Sequence, residues 1–213
     1  MVASSSISRP IRLLVADDHP IVRRGLIAVL DDQEDMEVVA EVCNGREAIA
    51  QYRQYQPDVA ILDLQMPEVK GVEAITAIRD EFPNACIIML TIYDTDEDIY
   101  QGLRAGARAY LLKDTPLEEI MEVIRAVCEG NRYIPSAISE KYITHSERPQ
   151  LSERERQVLE LLATGKSNKA IGESLNITEH TIRFHVTNLI NKLGASDRTD
   201  ALVIAMRRGL IHF

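Results

Sequence analysis

Five short apolar runs alternate with amphipathic stretches through the first 130 residues, and that alternation limits the fold more than any other feature. The runs are Ile11–Ala16, Val38–Cys43, Val59–Leu62, Cys86–Leu90 and Ala109–Leu112. Each reads as almost continuous Val, Ile, Leu and Ala, the pattern of strands covered on both faces. Helical stretches between such strands require parallel pairing with right-handed crossovers. The helix starts are marked locally. Asn44 with Glu47 and Thr115 with Glu118 have capping spacing, Pro116 falls at a favoured first helical position, and Gly130 supplies a stop. Residues 10–130 are therefore expected to form an α/β domain, a doubly wound parallel five-stranded sheet.

After residue 130 the pattern changes. Residues 131–150 hold two prolines, few apolar anchors and no clear period, and read as a linker. From there on the periodicity is helical. Ser152 with Glu155 opens a helix carrying Val158, Leu159 and Leu162, which Gly165 closes. Helices over Asn168–Leu175, Glu179–Leu193 and Asp197–Arg208 follow. This makes residues 151–213 a second, smaller all-α domain. Residues 1–9 are Ser-rich without an apolar centre and read as a disordered tail rather than a secretory signal.

Charge is divided unevenly between these domains. The 213-residue chain has a formal net charge of -9, which taken whole argues against nucleic acid. Residues 151–213 carry 9 Lys and Arg against 7 Asp and Glu, whereas residues 1–150 carry 15 against 26. Only the second domain is suited to a phosphate backbone. The longest wholly apolar stretches, such as Ala85–Leu90, are too short to span a bilayer. Cys43, Cys86 and Cys128 show no paired metal spacing and read as reduced core thiols of a cytoplasmic protein.

Polar residues stand at four strand ends. Asp17 and Asp18 follow the first run, Asp63 ends the third, Thr91 the fourth and Lys113 the fifth. Ligands of open parallel sheets bind beyond the carboxyl ends of the strands. Adjacent carboxylates repel unless a cation intervenes, and hard oxygen donors suit Mg²⁺. A carboxylate can also be a nucleophile that forms an aspartyl phosphate, with a lysine and a hydroxyl to stabilise the transferring group. Taken singly, an Asp pair after a strand is more often a helix cap, and a lone Lys a solvated charge. Their joint occurrence at four strand ends favours the functional reading.

In the second domain the stretch Thr178–Leu193 is the most informative. Thr178 can cap it, Ile177 with Ile182 has the spacing of a hydrophobic staple, and Ile182, Val186, Leu189 and Leu193 form one apolar stripe. Opposite lie His180, Phe184, Thr187 and Asn191, with Arg183 and Asn188 on the flanks. An outward Phe among hydrogen-bonding side chains suits a DNA major groove, where Thr and Phe can meet thymine methyls. Packing of Phe184 on a partner subunit or on the first domain is the alternative. The preceding helix could meet a phosphate through its N-terminus and Lys169.

The runs "VADDHP" (15–20), "LDLQMPEVKG" (62–71), "IIMLT" (87–91) and "AYLLKD" (109–114) closely resemble response-regulator receiver domains, in the family's order. Residues 151–211 closely resemble the LuxR-type helix-turn-helix, and the whole chain is similar to the NarL/FixJ class of two-component response regulators. The resemblance implies a flavodoxin-like sheet of strand order 2-1-3-4-5. It implies Asp63 as phosphoacceptor, with Asp17, Asp18 and the backbone carbonyl of Gln65 joining Asp63 as Mg²⁺ ligands. Thr91 would be the hydroxyl that follows the phosphoryl group, Tyr110 the switch aromatic, and Lys113 the phosphate-contacting lysine. It puts Arg183, Phe184 and Thr187 at DNA-reading positions, and Lys169, Asn188 and Lys192 near the DNA backbone. The implied partners are a sensor histidine kinase, double-stranded DNA, RNA polymerase and, after phosphorylation, a second copy of the chain. Two residues depart from the commoner pattern: Thr187 replaces a frequent basic residue, and Gly172 stands where alanine is usual, at a helix cost of about 1 kcal/mol. The reading is of a transcription regulator, not an enzyme. A phosphatase with Asp63 as nucleophile needs a second carboxylate two residues on, where Gln65 stands. A first domain used only for dimerisation or ligand sensing would have no need of the acid pair and Lys113.

Overall fold

The computed structural model describes residues 9–92 and 95–211. Residues 1–8, most of the stretch read as a tail, lie outside them. Arg9, the last residue of that stretch, pairs its guanidinium with both carboxylate oxygens of Asp58 at 2.8 Å.

The elements run β1 (Ile11–Ala16), α1 (Pro20–Asp31), β2 (Met36–Val42), α2 (Gly45–Tyr55), β3 (Val59–Leu62), α3 (Gly71–Glu81), β4 (Ile87–Thr91), α4 (Asp96–Ala105), β5 (Ala109–Leu112) and α5 (Leu117–Cys128). All strand pairs are parallel, in the order β2-β1-β3-β4-β5. β3 and β4 are fully buried, and β1 is buried from Leu13 onward; Leu13, Val15, Ile61, Ile88 and Leu111 belong to one core cluster with Ile120, Ile124 and Val127 of α5.

The second strand differs from its expectation. It begins two residues earlier and ends at Val42, and its middle residues are only half-buried. As an edge strand it lacks a neighbour on one side. Cys43 falls beyond the sheet and is exposed, so it is no core thiol; Cys86 and Cys128 are half-buried. The expected Asn44 cap is present, its side chain accepting from the Glu47 N–H. The expected Thr115 cap is not. The Thr115 N–H is used in a turn with the Leu112 carbonyl, and Pro116 precedes the helix instead of opening its first turn.

Past Gly130 the chain continues along β5, with Tyr133 bridged to Ala109. The segment read as a linker contains a helix, α6 (Ser136–Ser146), started by a hydrogen bond from the Ser139 N–H to the Pro135 carbonyl. Its weak apolar periodicity hid it.

The chain divides into two compact units, and the second contains the helices α7 (Glu153–Ala163), α8 (Asn168–Leu175), α9 (Glu179–Leu193) and α10 (Arg198–Arg207). Ser152 and Glu155 close a full capping box at the start of α7. Ser167, Thr178 and Asp197 cap the next three helices through their side chains. Ile182 and Leu189 of α9 are fully buried, each worth about 1.5–3 kcal/mol of apolar transfer. The turn between α8 and α9 passes through Asn176 in the left-handed region (φ 53°) and is closed by the Ile177 N–H on the Gly172 carbonyl. A Cβ at position 172 would sit 2.7 Å from the Ile177 carbonyl oxygen. Gly172 therefore offsets its helix cost by letting the turn close tightly over α8.

Candidate functional site

The sheet order places the topological switch point between β1 and β3, since the chain runs outward from there in opposite directions. A crevice opens at the carboxyl ends of those two strands. Asp17 follows β1 and Asp63 follows β3, and the Asp63 N–H donates to the Ala16 carbonyl, which keeps the two acids side by side. Both are buried, at 4% and 3% exposure. Thr91, the last residue of β4, is fully buried and its hydroxyl hydrogen-bonds to Asp63. The Lys113 N–H donates to the Thr91 carbonyl, so β4 carries Lys113 to the same place.

Lys113 Nζ then bridges the acids, 2.8 Å from Asp17 Oδ2 and 2.7 Å from Asp63 Oδ2. Burial pushes the Asp63 carboxyl above the usual carboxylate range, against the pull of Lys113, and the Asp17 charge adds to the rise. Burial also opposes the charge on Lys113, but its hydrogen bonds to Asp17 and Asp63 prevail and raise its pKa. One ammonium among three carboxylates leaves the cup short of positive charge. Asp18 Oδ1 is buried there and accepts no hydrogen bond. Ligand atoms of Asp17, Asp18, His19 and Asp63 all lie within 4.8 Å of one another. This oxygen-rich set with an orphaned acceptor fits a hard divalent cation such as Mg²⁺.

The loops around the cup are tightly held. The Leu64 N–H donates to Asp63 Oδ1 at 2.6 Å. The Gly71 N–H donates to the Leu64 carbonyl, and a Cβ on Gly71 would overlap the Asp63 carbonyl. Gln65 lies half-buried on the same loop. Tyr110 is fully buried in β5. Two residues that the sequence reading did not single out also belong to the cup. His19 donates its N–H to Asp17 Oδ1 at 2.8 Å, and Arg23 Nη1 donates to the Asp17 carbonyl at 2.6 Å. The signal available for His19 was its place between an acid pair and Pro20, a helix-opening proline.

On the second unit α9 sorts its residues as expected by face. Ile182, Val186, Leu189 and Leu193 are buried, while Arg183, Phe184 and Thr187 are exposed, Phe184 at 62%. Arg183 pairs with Glu179 one turn earlier at 2.7 Å, and the Thr187 hydroxyl donates to the Arg183 carbonyl. Lys169 is exposed on α8 and Asn188 is half-buried. Lys192 is engaged within the unit: its Nζ donates to Glu155 Oε2 at 2.7 Å and to the Gln150 carbonyl at 3.0 Å.

Residues 13–125 match the response regulator receiver domain, and residues 149–205 match the bacterial regulatory proteins of the LuxR family. The chain belongs to the response regulators. The transcriptional regulatory proteins YxjL and LiaR of Bacillus subtilis are each 40% identical to it, over 95% of this chain and 98% and 100% of theirs. The solved RcsB–DNA complex is 27% identical, covering 93% of this chain and 99% of that one, with a TM-score of 0.66. This response regulator thus joins a flavodoxin-like receiver to a LuxR-type DNA-binding unit and regulates transcription through two-component signalling; it is not an enzyme. Its receiver implies a histidine kinase as partner. No helix among its described residues is long and apolar enough to cross a membrane.

Proposed function

We propose that Asp63 is the phosphoacceptor and that its phosphorylation controls sequence-specific DNA binding. The observation that carries this reading is the single ammonium of Lys113 shared between buried Asp17 and Asp63. A carboxylate oxygen of Asp63 attacks the phosphorus of a kinase phosphohistidine, forming the O–P bond as the N–P bond breaks. Lys113 neutralises charge on the phosphoryl oxygens, and the Thr91 hydroxyl donates to one of them. Mg²⁺, held by Asp17, Asp18, Asp63 and the Gln65 carbonyl, supplies the remaining neutralisation when bound. Thr91 and Tyr110 then shift together and bias the receiver toward a second conformation.

In the second unit Arg183, Phe184 and Thr187 read base edges in a major groove, while Lys169, Asn188 and Lys192 meet phosphates. Two copies would read paired half-sites. The relative RcsB has been solved as dimers bound to DNA, and Val203 and Met206 are exposed on α10 here, which supports an apolar contact between copies. RNA polymerase is the further partner such a regulator would meet. Incubation with acetyl phosphate and Mg²⁺, followed by intact mass measurement, tests the acceptor. One phosphoryl group is expected on the wild type and none on Asp63→Asn; stable modification of the variant rules Asp63 out.

A further inference from the structure

His19 lies at the mouth of the acid cup with its ring 58% exposed, and its Nδ1 stands 2.6 Å from Asp18 Oδ1, 3.4 Å from Asp17 Oδ1 and 4.0 Å from Asp63 Oδ2. At 2.6 Å a hydrogen bond to Asp18 is expected, yet Asp18 Oδ1 is buried and accepts none. A ring nitrogen and a carboxylate oxygen thus face each other at the mouth of the cup, among ligand atoms of Asp17, Asp18, His19 and Asp63 that all lie within 4.8 Å of one another.

The backbone that carries the ring is held in place. The His19 backbone N–H donates to Asp17 Oδ1, the His19 carbonyl accepts from the Arg23 N–H at 3.0 Å, and Arg23 Nη1 donates to the Asp17 carbonyl. Pro20 follows at the start of α1 and limits the backbone further. Lys113 occupies the Oδ2 atoms of Asp17 and Asp63, which leaves Asp17 Oδ1, Asp18 Oδ1 and His19 Nδ1 on the other side of the cup.

We propose that His19 is a direct ligand in this cup, so that the site holds a divalent transition ion of the Mn²⁺ or Zn²⁺ kind more tightly than Mg²⁺. The inference rests on the reading of the cup as a cation site and adds a nitrogen donor to it. Mg²⁺ takes oxygen donors and keeps much of its water, so an imidazole adds little to its binding. Mn²⁺ and especially Zn²⁺ accept imidazole together with carboxylates, and for them a pre-placed ring raises affinity.

Titration calorimetry with MgCl₂, MnCl₂ and ZnCl₂ on the full chain, for wild type, His19→Ala, His19→Gln and Asp63→Asn, tests this. Both His19 variants are expected to weaken Mn²⁺ and Zn²⁺ by about ten- to a hundredfold while leaving Mg²⁺ within about twofold. Pulsed electron paramagnetic resonance of the Mn²⁺-loaded wild type should show coupling to an imidazole nitrogen that His19→Gln abolishes. Unchanged Mn²⁺ and Zn²⁺ affinity, equal loss of Mg²⁺, or a persisting nitrogen signal overturns the proposal. If Asp63→Asn weakens all three ions and the His19 variants none, His19 alone is misassigned. If Asp63→Asn changes nothing, the cup itself is not the cation site and the inference falls with it.

Discussion

Lys113 Nζ stands 2.7 Å from Asp63 Oδ2, a contact between residues 50 apart in sequence and both nearly excluded from solvent. Removing the cation would leave two buried carboxylates facing each other. Lys113→Ala is therefore expected to destabilise the receiver by about 3–5 kcal/mol, since an uncompensated buried charge remains. Millimolar Mg²⁺ should restore part of that loss. Urea unfolding of the receiver transition, with and without Mg²⁺, measures it; a loss below about 1 kcal/mol would mean that water reaches the cup and screens its charges.

Asp63 itself titrates above the ordinary carboxylate range, through burial first. A group whose folded pKa is raised contributes stability below its unfolded pKa and loses it as pH rises through the folded value. At neutral pH without a divalent cation the ionised carboxylate is thus a liability. Asp63→Asn should melt a few degrees higher than wild type in EDTA, with the gap shrinking as pH falls into the carboxylate range. A variant that melts lower in EDTA at neutral pH contradicts this account.

In the second unit the sign is reversed. Burial works to raise the Glu155 carboxyl, but Lys192 and the Ser152 cap outweigh it and hold it below its usual 4.5. Its contribution is therefore full above that value and is lost as pH falls through the depressed folded pKa. Glu155→Gln should cost about 1–3 kcal/mol at pH 7 and progressively less in acid. Thermal melts of wild type and variant across that range decide it; a gap independent of pH would assign the cost to packing alone.

The two candidate faces of the DNA-binding unit should respond differently to salt. Lys169→Ala is expected to weaken binding on all sequences alike and to reduce the slope of log affinity against log salt by about 1. Phe184→Ala should cost about 1–2 kcal/mol on the preferred site with the slope unchanged, because it removes apolar contact rather than charge. Fluorescence anisotropy over a salt series reports both. A slope change from Phe184→Ala and none from Lys169→Ala would reverse the assignment of faces.

Gly71 abuts the Asp63 carbonyl so closely that no side chain fits. Gly71→Ala should cost about 1–3 kcal/mol by overpacking and displace the loop that carries Asp63. Weaker Mg²⁺ binding together with a lower melting midpoint is expected. Normal Mg²⁺ affinity in a destabilised protein would mean that the loop and the cup are mechanically independent.

Much of this molecule is written in short-range patterns. Asn44 with Glu47, Ser152 with Glu155 and the apolar stripe of α9 act over three or four residues, and each reappears in the structure. Strands β1, β3 and β5 match the bounds of their apolar runs, and most of their residues are buried. Where the surroundings intervene, the local patterns mislead: β2 lies at the edge and releases Cys43 to solvent, the Thr115 N–H goes to a turn, and α6 forms without an apolar stripe.

Chain order alone was enough for the fold class and for the helix caps at Asn44, Ser152 and Thr178, because periodicity and capping are interactions between near neighbours. Which charges meet was settled in three dimensions. The β2-β1-β3-β4-β5 order brings Lys113 within hydrogen-bonding distance of Asp17 and Asp63, and in the second unit the packing of α7 on α9 ties Lys192 to Glu155. A charge's energy depends on its distance to the next charge and on the water excluded between them, and neither quantity is a property of spacing along the chain.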